Sequence, residues 1–481
     1  MSEPAVRAPE AAGAAGTPER VVVVGGGLAG ISAALAAADA GATVTLLEAR
    51  PRLGGATFSF RRDGLEIDNG QHVFLRCCTA YRSLLERLGV SDDVELQPRL
   101  AVPVLAPGGR IGWLRRGRLP APLHLAGTLA RYPYLTWPQR LGAARAALAL
   151  RRLDPTDQRL DRQTFAEWLA AHGQDAAATA ALWDLVGLAT LNARAARASL
   201  QMAAMVFKTG LLSARDAADI GYSRVPLGRL HGEPAVRALA AAGAEVRLRH
   251  HARAVERDGG TLAVVTDDGR VEADAVVVAV PHEAAPELLP DGALPDGGAS
   301  LELLGASPIV NLHVVYDRVV TALPLAAGLG TPVQWVFDRS AGTGLRREGR
   351  QYLAVSLSAA VDEVELPTAA LRERFLPALA ELLPAARGAR VTQFVVTRER
   401  TATFLPAPGT AALRPAAATG VPGLFLAGSW TSTGWPATME GAVRSGLTAA
   451  HAALVSLGRT RDLPQPEGFS GFPLSQAEVV A

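Results

Sequence analysis

Apolar positions follow two rhythms along this chain. Residues 21–24 are four consecutive valines, an unbroken β-branched run that predicts a short strand buried on both faces. Residues 29–40 are rich in strong helix formers and end at Gly41, and 43–47 make a second strand. Over 76–225 the spacing becomes mostly helical, with helices expected at 79–88, 137–153, 164–171, 176–188 and 195–212. Strand patterns then return. Residues 234–242 read as a helix stopped by Gly243, and strands are expected at 245–248, 252–256, 262–266 and 271–280, with Asp267-Asp268-Gly269 as a hairpin turn. Alternating runs at 308–316, 331–337, 352–358 and 393–397 predict a second sheet, with a helix over 366–383. A short apolar strand at 423–428 leads into a last helix running through 445–454. The fold class is mixed α/β.

The first strand runs into Gly25-Gly26-Gly27-Leu28-Ala29-Gly30, in which Gly25, Gly27 and Gly30 fit G-x-G-x-x-G at a strand-to-helix turn. Such a turn seats a pyrophosphate on the helix N-terminus, where free N–H groups and the dipole favour anions. Glu48 falls 18 residues past Gly30, about where an acid accepts hydrogen bonds from a ribose and disfavours a 2′-phosphate. These features point to a dinucleotide site and leave NAD and FAD both open.

Glu48-Ala49-Arg-Pro-Arg52-Leu-Gly54-Gly55 fits Glu-x-x-x-Arg-x-Gly-Gly, which resembles the second signature of the flavin-containing amine oxidase, phytoene desaturase and protoporphyrinogen oxidase superfamily. Gly54 and Gly55 allow close backbone approach to phosphates, and Arg52 adds charge. The resemblance implies a Rossmann-like FAD-binding domain interleaved with a substrate domain, and non-covalent FAD. It also implies that the C-terminal segment returns to the flavin through Gly428, Thr438, Met439, Glu440 and Ala442, that Gly70 lies close to the ring, and that Ala252 contacts the adenine side. The expected division is a tail at 1–19, an FAD-binding domain from 20–75, 226–300 and 405–460, a helical insert at 76–225, a sheet at 301–404 and a tail at 461–481.

Residues 68–81 and 428–446 are similar to one branch, the hydroxysqualene dehydroxylases of bacterial hopanoid pathways, with the likeness running over most of 20–455. That branch implies a long isoprenoid substrate, which loses an allylic hydroxyl while reduced FAD delivers hydride. His72 is the expected proton donor to the leaving hydroxyl, directly or relayed through Gln71; the competing reading is a histidine that only hydrogen-bonds near the flavin. Asn69 and Tyr222 are further candidates. Amine oxidases of the superfamily place a lysine on the strand matching 308–316. Asn311 stands there, and the only lysine, Lys208, lies in the insert, which disfavours amine oxidation. Polyene or carotenoid desaturation is the alternative chemistry, and a flavin-bound membrane scaffold the non-catalytic one. The sequence names no electron donor.

Composition narrows the rest. The 481 residues carry a net charge of +2 with 5% aromatics, poor material for a nucleic-acid surface. Mean hydropathy is +0.17, yet no run reaches the ~18–20 apolar residues of a spanning helix. Residues 1–19 lack the apolar core of a signal peptide and read as a disordered tail. Cys77 and Cys78 are adjacent, which offers no metal set and suits small buried thiols in a reducing cytoplasm. Residues 123–151 combine Ala and Leu with Tyr132, Tyr134, Trp137 and arginines. They read equally as a peripheral contact with the inner face of the cell membrane or as a core-facing helical pair.

Overall fold

The computed structural model describes residues 19–459 except 260 and 344. The two expected tails, apart from Glu19, lie outside the described residues. At the centre of the nucleotide half is a five-stranded parallel sheet in the order Glu245–Leu248, Thr43–Glu48, Arg20–Val24, Ala275–Val278, Leu424–Leu426. The valine run explains its place. Val21 and Val23 pack on one face against the helices Leu28–Asp39 and Met439–Ser456, and Val22 and Val24 pack on the other against the antiparallel sheet Ala252–Asp258, Thr261–Thr266, Gly269–Ala273. With both faces covered, alternation disappears and every position is apolar.

The run expected as one strand over 271–280 is two. Asp274 separates Gly269–Ala273 from Ala275–Val278, and its carboxylate accepts from the Arg20 N–H at 2.7 Å as the chain crosses from one sheet to the other. The expected strand 331–337 is likewise replaced by Leu325–Gly328 and Trp335–Asp338, which pair antiparallel.

The second sheet has seven strands in the order Val391–Thr403, Ser307–Tyr316, Gln351–Ser358, Trp335–Asp338, Leu325–Gly328, Ala101–Ala106, Arg110–Arg115. The helix Thr368–Leu382 covers one face through Leu371, Phe375 and Leu379. The last two strands correct the helical reading of 76–225. Residues 100–106 are an apolar run that ends at Gly108 and Gly109, both at positive φ, so the segment turns back as a hairpin and extends the sheet. Val73–Leu75, Val94–Leu96 and Ile220–Ser223 form a further small sheet. The expected helix 195–212 starts only at Leu200, where the Ser199 hydroxyl caps it. Among the described residues no helix is long and apolar enough to cross a membrane.

Candidate functional site

Gly25 ends the strand Arg20–Val24 at φ +106°, and a Cβ there would stand 2.6 Å from the Ala279 carbonyl oxygen. Gly27 opens the helix Leu28–Asp39 with no side-chain cap and no acid in the first turn. Its leading N–H groups and positive dipole end remain available to an anion. Leu28, Ala29 and Gly30 are buried in that turn. A Cβ on Gly30 would overlap the Gly25 carbonyl, and one on Gly446 would overlap that of Ala29, so the first and last helices cross backbone to backbone.

The second glycine pair lies directly on the first. Gly54 N–H donates to the Gly26 carbonyl at 2.8 Å, and a Cβ on Gly55, at φ +55°, would sit 2.7 Å from Gly27 Cα. Glu48 is buried between the loops, accepting from Gly26 N–H and Arg50 N–H, both at 2.7 Å. Arg52 lies over the Phe58 ring and donates to the Gly55 carbonyl at 3.2 Å; burial lowers its pKa from the usual arginine value. Ala49 is exposed beyond the strand, whereas Ala252 is buried at the start of Ala252–Asp258.

The segment 69–72 is pinned at both ends. Asp68 pairs with Arg339 at 2.8 Å and accepts from Ser59 Oγ and Leu227 N–H. The Asn69 amide donates to the Ala56 carbonyl and to Glu399. Gly70 faces Asn311, whose Nδ2 lies 3.0 Å from where a Gly70 Cβ would stand. Asn311 is buried in the strand Ser307–Tyr316. Its Oδ1 accepts from Gln71 N–H at 3.3 Å, while Nδ2 has no partner among the described residues. A buried amide donor without an acceptor costs about 1–3 kcal/mol, and the nitrogen and oxygen acceptors of a flavin ring would relieve it. With the two phosphate loops, this donor fits FAD.

His72 is partly buried, with Nδ1 3.0 Å from the Gly70 carbonyl. Burial pulls its pKa below the ordinary imidazole value, outweighing the Gly70 contact that raises it. The ring is therefore neutral at pH 7, with its proton on Nδ1 facing the carbonyl. Tyr222 sits opposite Val73 in the small sheet and is kept protonated by burial and by its bond to Glu95.

At the far end Gly428, at φ +146°, donates to Ser445 Oγ at 2.8 Å, which ties the turn to the last helix. The Thr438 hydroxyl caps that helix by accepting from Gly441 N–H, and Ala442 is partly buried in its first turn. Glu440 is buried in the first turn of the same helix. Its carboxylate accepts from Ala80 N–H at 3.2 Å, Tyr81 N–H at 2.7 Å and Arg444 Nε at 2.6 Å, which makes it an anionic clamp on the helix Thr79–Arg87. Burial raises its pKa above the usual carboxylate value.

An apolar cavity of about 420 Å³ joins these parts. Its inner end is formed by Gln71, Ile309, Trp435 and Met439, and Cys77 and Cys78 line it as free thiols. Among the described residues Glu440 is the one lining carboxylate, and no histidine, lysine, arginine or aspartate lines the cavity. Gln71 thus borders it and His72 does not. Among the described residues no group of side chains suits a metal ion.

Three contributors escaped the sequence reading. Ser445 anchors Gly428. Buried Arg414 donates to the carbonyls of Ser429 and Thr431, and burial lowers its pKa to about 10. Arg339 pairs with Asp68 and donates to the Ser223 and Val225 carbonyls. All three act across 15 or more residues of chain, so no local pattern marks them.

The family described as flavin containing amine oxidoreductase matches residues 28–454. A hydroxysqualene dehydroxylase of Sinorhizobium fredii is 30% identical over 452 residues, covering 91% of this chain and 99% of that protein. A zeta-carotene desaturase of Synechocystis is 28% identical, covering 92% and 98%. Cyclohexylamine oxidase from Brevibacterium oxydans superposes with a TM-score of 0.69 at 21% identity, covering 92% of this chain and all of that one.

Proposed function

The chain belongs to the flavin containing amine oxidoreductase family and is an FAD-dependent oxidoreductase; within that family we propose that it removes the allylic hydroxyl of hydroxysqualene, giving squalene and water. The observation that carries this reading is the apolar cavity whose inner end meets both the Gln71 segment and the Trp435–Met439 turn. A hydrocarbon chain fits such a lining and a charged amine does not, since the cavity offers a cation only a carboxylate already engaged by Arg444. The identity to hydroxysqualene dehydroxylases supports the same choice.

Reduced FAD, when bound, supplies the hydride to the allylic carbon, and the hydroxyl leaves as water after gaining a proton. The protein's own part is to align the chain, exclude water and provide that proton. His72 is the proposed source, delivering the proton through water past Gln71, which borders the cavity. Because His72 is neutral at pH 7, it donates only from its minor protonated form. Glu48, Arg52 and the glycine loops hold the dinucleotide.

Desaturation of a polyene is the second reading, supported by the likeness to zeta-carotene desaturase. Anaerobic incubation of the purified protein with reduced flavin and hydroxysqualene, followed by mass analysis, separates the two. Loss of one oxygen supports dehydroxylation. An unchanged hydroxysqualene, with two hydrogens lost from a polyene supplied instead to the enzyme carrying oxidised flavin, would replace it with desaturation.

A further inference from the structure

Between Glu95 and Asp154 the chain holds ten arginines and no acid. With a net charge of +2 overall, everything outside this stretch sums to −8. The same stretch contains six exposed large apolar side chains, Ile111, Leu119, Leu123, Trp137, Leu141 and Leu148. Charge and apolar exposure therefore coincide on one part of the surface.

The helix Trp137–Arg152 shows how they are arranged. Ala143, Ala146 and Leu150 are its buried face. At about 100° per residue, Trp137, Leu141 and Leu148 fall within about 40° of one another on the opposite side. They are 66%, 58% and 49% exposed. On the same wheel Arg140 and Arg151 flank the stripe on one side, Arg145 and Arg152 on the other. An apolar stripe between two cationic rails suits the boundary between acyl chains and anionic headgroups.

The cavity opens here. Leu123 and Leu148 are exposed and also line the cavity, whose inner end is at Gln71 and Trp435. Of the aromatic residues in this region only Trp137 is exposed. Tyr132 is buried with its hydroxyl donating to the Ala181 carbonyl, and Tyr134 donates to the carbonyls of Val104 and Arg110, so these two belong to the core.

We propose that the face built from residues 110–148 docks on an anionic lipid bilayer and that the cavity takes its substrate directly from the acyl layer. A second copy of the chain is the poorer occupant, because a two-fold contact would set one arginine-rich face against another.

The test uses the full-length FAD-loaded protein and vesicles of phosphatidylcholine with or without phosphatidylglycerol. Cosedimentation with the anionic vesicles is expected, with about tenfold weaker binding to neutral ones or at raised salt. Trp137→Ser/Leu141→Ser and Arg118→Glu/Arg145→Glu should each lower binding about tenfold, keep flavin absorbance, and slow only turnover of vesicle-embedded substrate, leaving detergent-dispersed substrate unaffected. Wild-type protein that stays in the supernatant with anionic vesicles overturns the proposal. So does a lipid-free dimer that these variants dissociate, which would assign the face to self-association. Vesicle binding without hydroxysqualene turnover would support the docking surface and sink the substrate reading separately.

Discussion

A single carboxylate illustrates how much rests on one residue. Glu48 holds Gly26 and Arg50 in place and stands where the adenosine ribose is expected. Glu48→Ala should weaken FAD by about 1–3 kcal/mol, measured by flavin release on dilution; unchanged affinity would confine Glu48 to shaping the loop. His72 yields a pH-dependent expectation. If its protonated form gives up the proton, turnover needs the imidazolium. Its pKa lies below the ordinary 6.5, so the rate should fall about tenfold per unit as pH rises above that lowered value. His72→Ala should remove this limb and cut turnover by ~10²–10⁴ while FAD stays bound. A pH–rate profile identical in the variant would make His72 structural.

Elements impose their own requirements. The two phosphate loops touch at Gly27 and Gly55, so Gly55→Ala must push them apart besides straining a positive φ. The purified variant should contain little flavin, which its absorbance spectrum reads directly; a full complement of FAD would show that the loops give way without loss. The helix Thr79–Arg87 depends on Glu440 from the last helix for its leading N–H groups. Glu440→Ala leaves those groups and Arg444 without the carboxylate, and should lower stability by about 3 kcal/mol, seen as a shift in the denaturant midpoint. The sequence marked Glu440 as a cofactor residue because it lies in the C-terminal motif; its partners, 359 and 360 residues earlier, are visible only in the fold.

For the whole molecule, two buried histidines link folding to pH. His231 bonds to Tyr81 and His313 to Tyr352, and burial lowers both to about 3. In the unfolded chain they titrate near 6.5, so between about 3 and 6.5 the unfolded state binds the extra protons. Stability is then fully present above 6.5 and declines as pH falls, by up to about 1.4 kcal/mol per unit for each histidine. Urea midpoints measured from pH 7 to 5 should fall, and less steeply in His313→Gln. Equal slopes would show that other groups govern acid unfolding.

What the sequence determined by itself was local. The strand–glycine–helix turn, the Arg52-Leu-Gly54-Gly55 loop and the valine run that needs cover on both faces are contiguous patterns, and each marks its element from within a few residues. The hairpin at 101–115 was legible in principle, since its apolar run and paired glycines are local as well; the helical composition around it masked it. Tertiary structure alone decided the rest. It set Asn311 Nδ2 opposite Gly70, turned Gln71 rather than His72 toward the cavity, buried Arg414 beneath the C-terminal turn and brought the exposed Leu123 and Leu148 into the lining of one cavity. These relations join residues from separate strands and helices. Their geometry follows from sheet order and helix packing, which no spacing along the chain encodes.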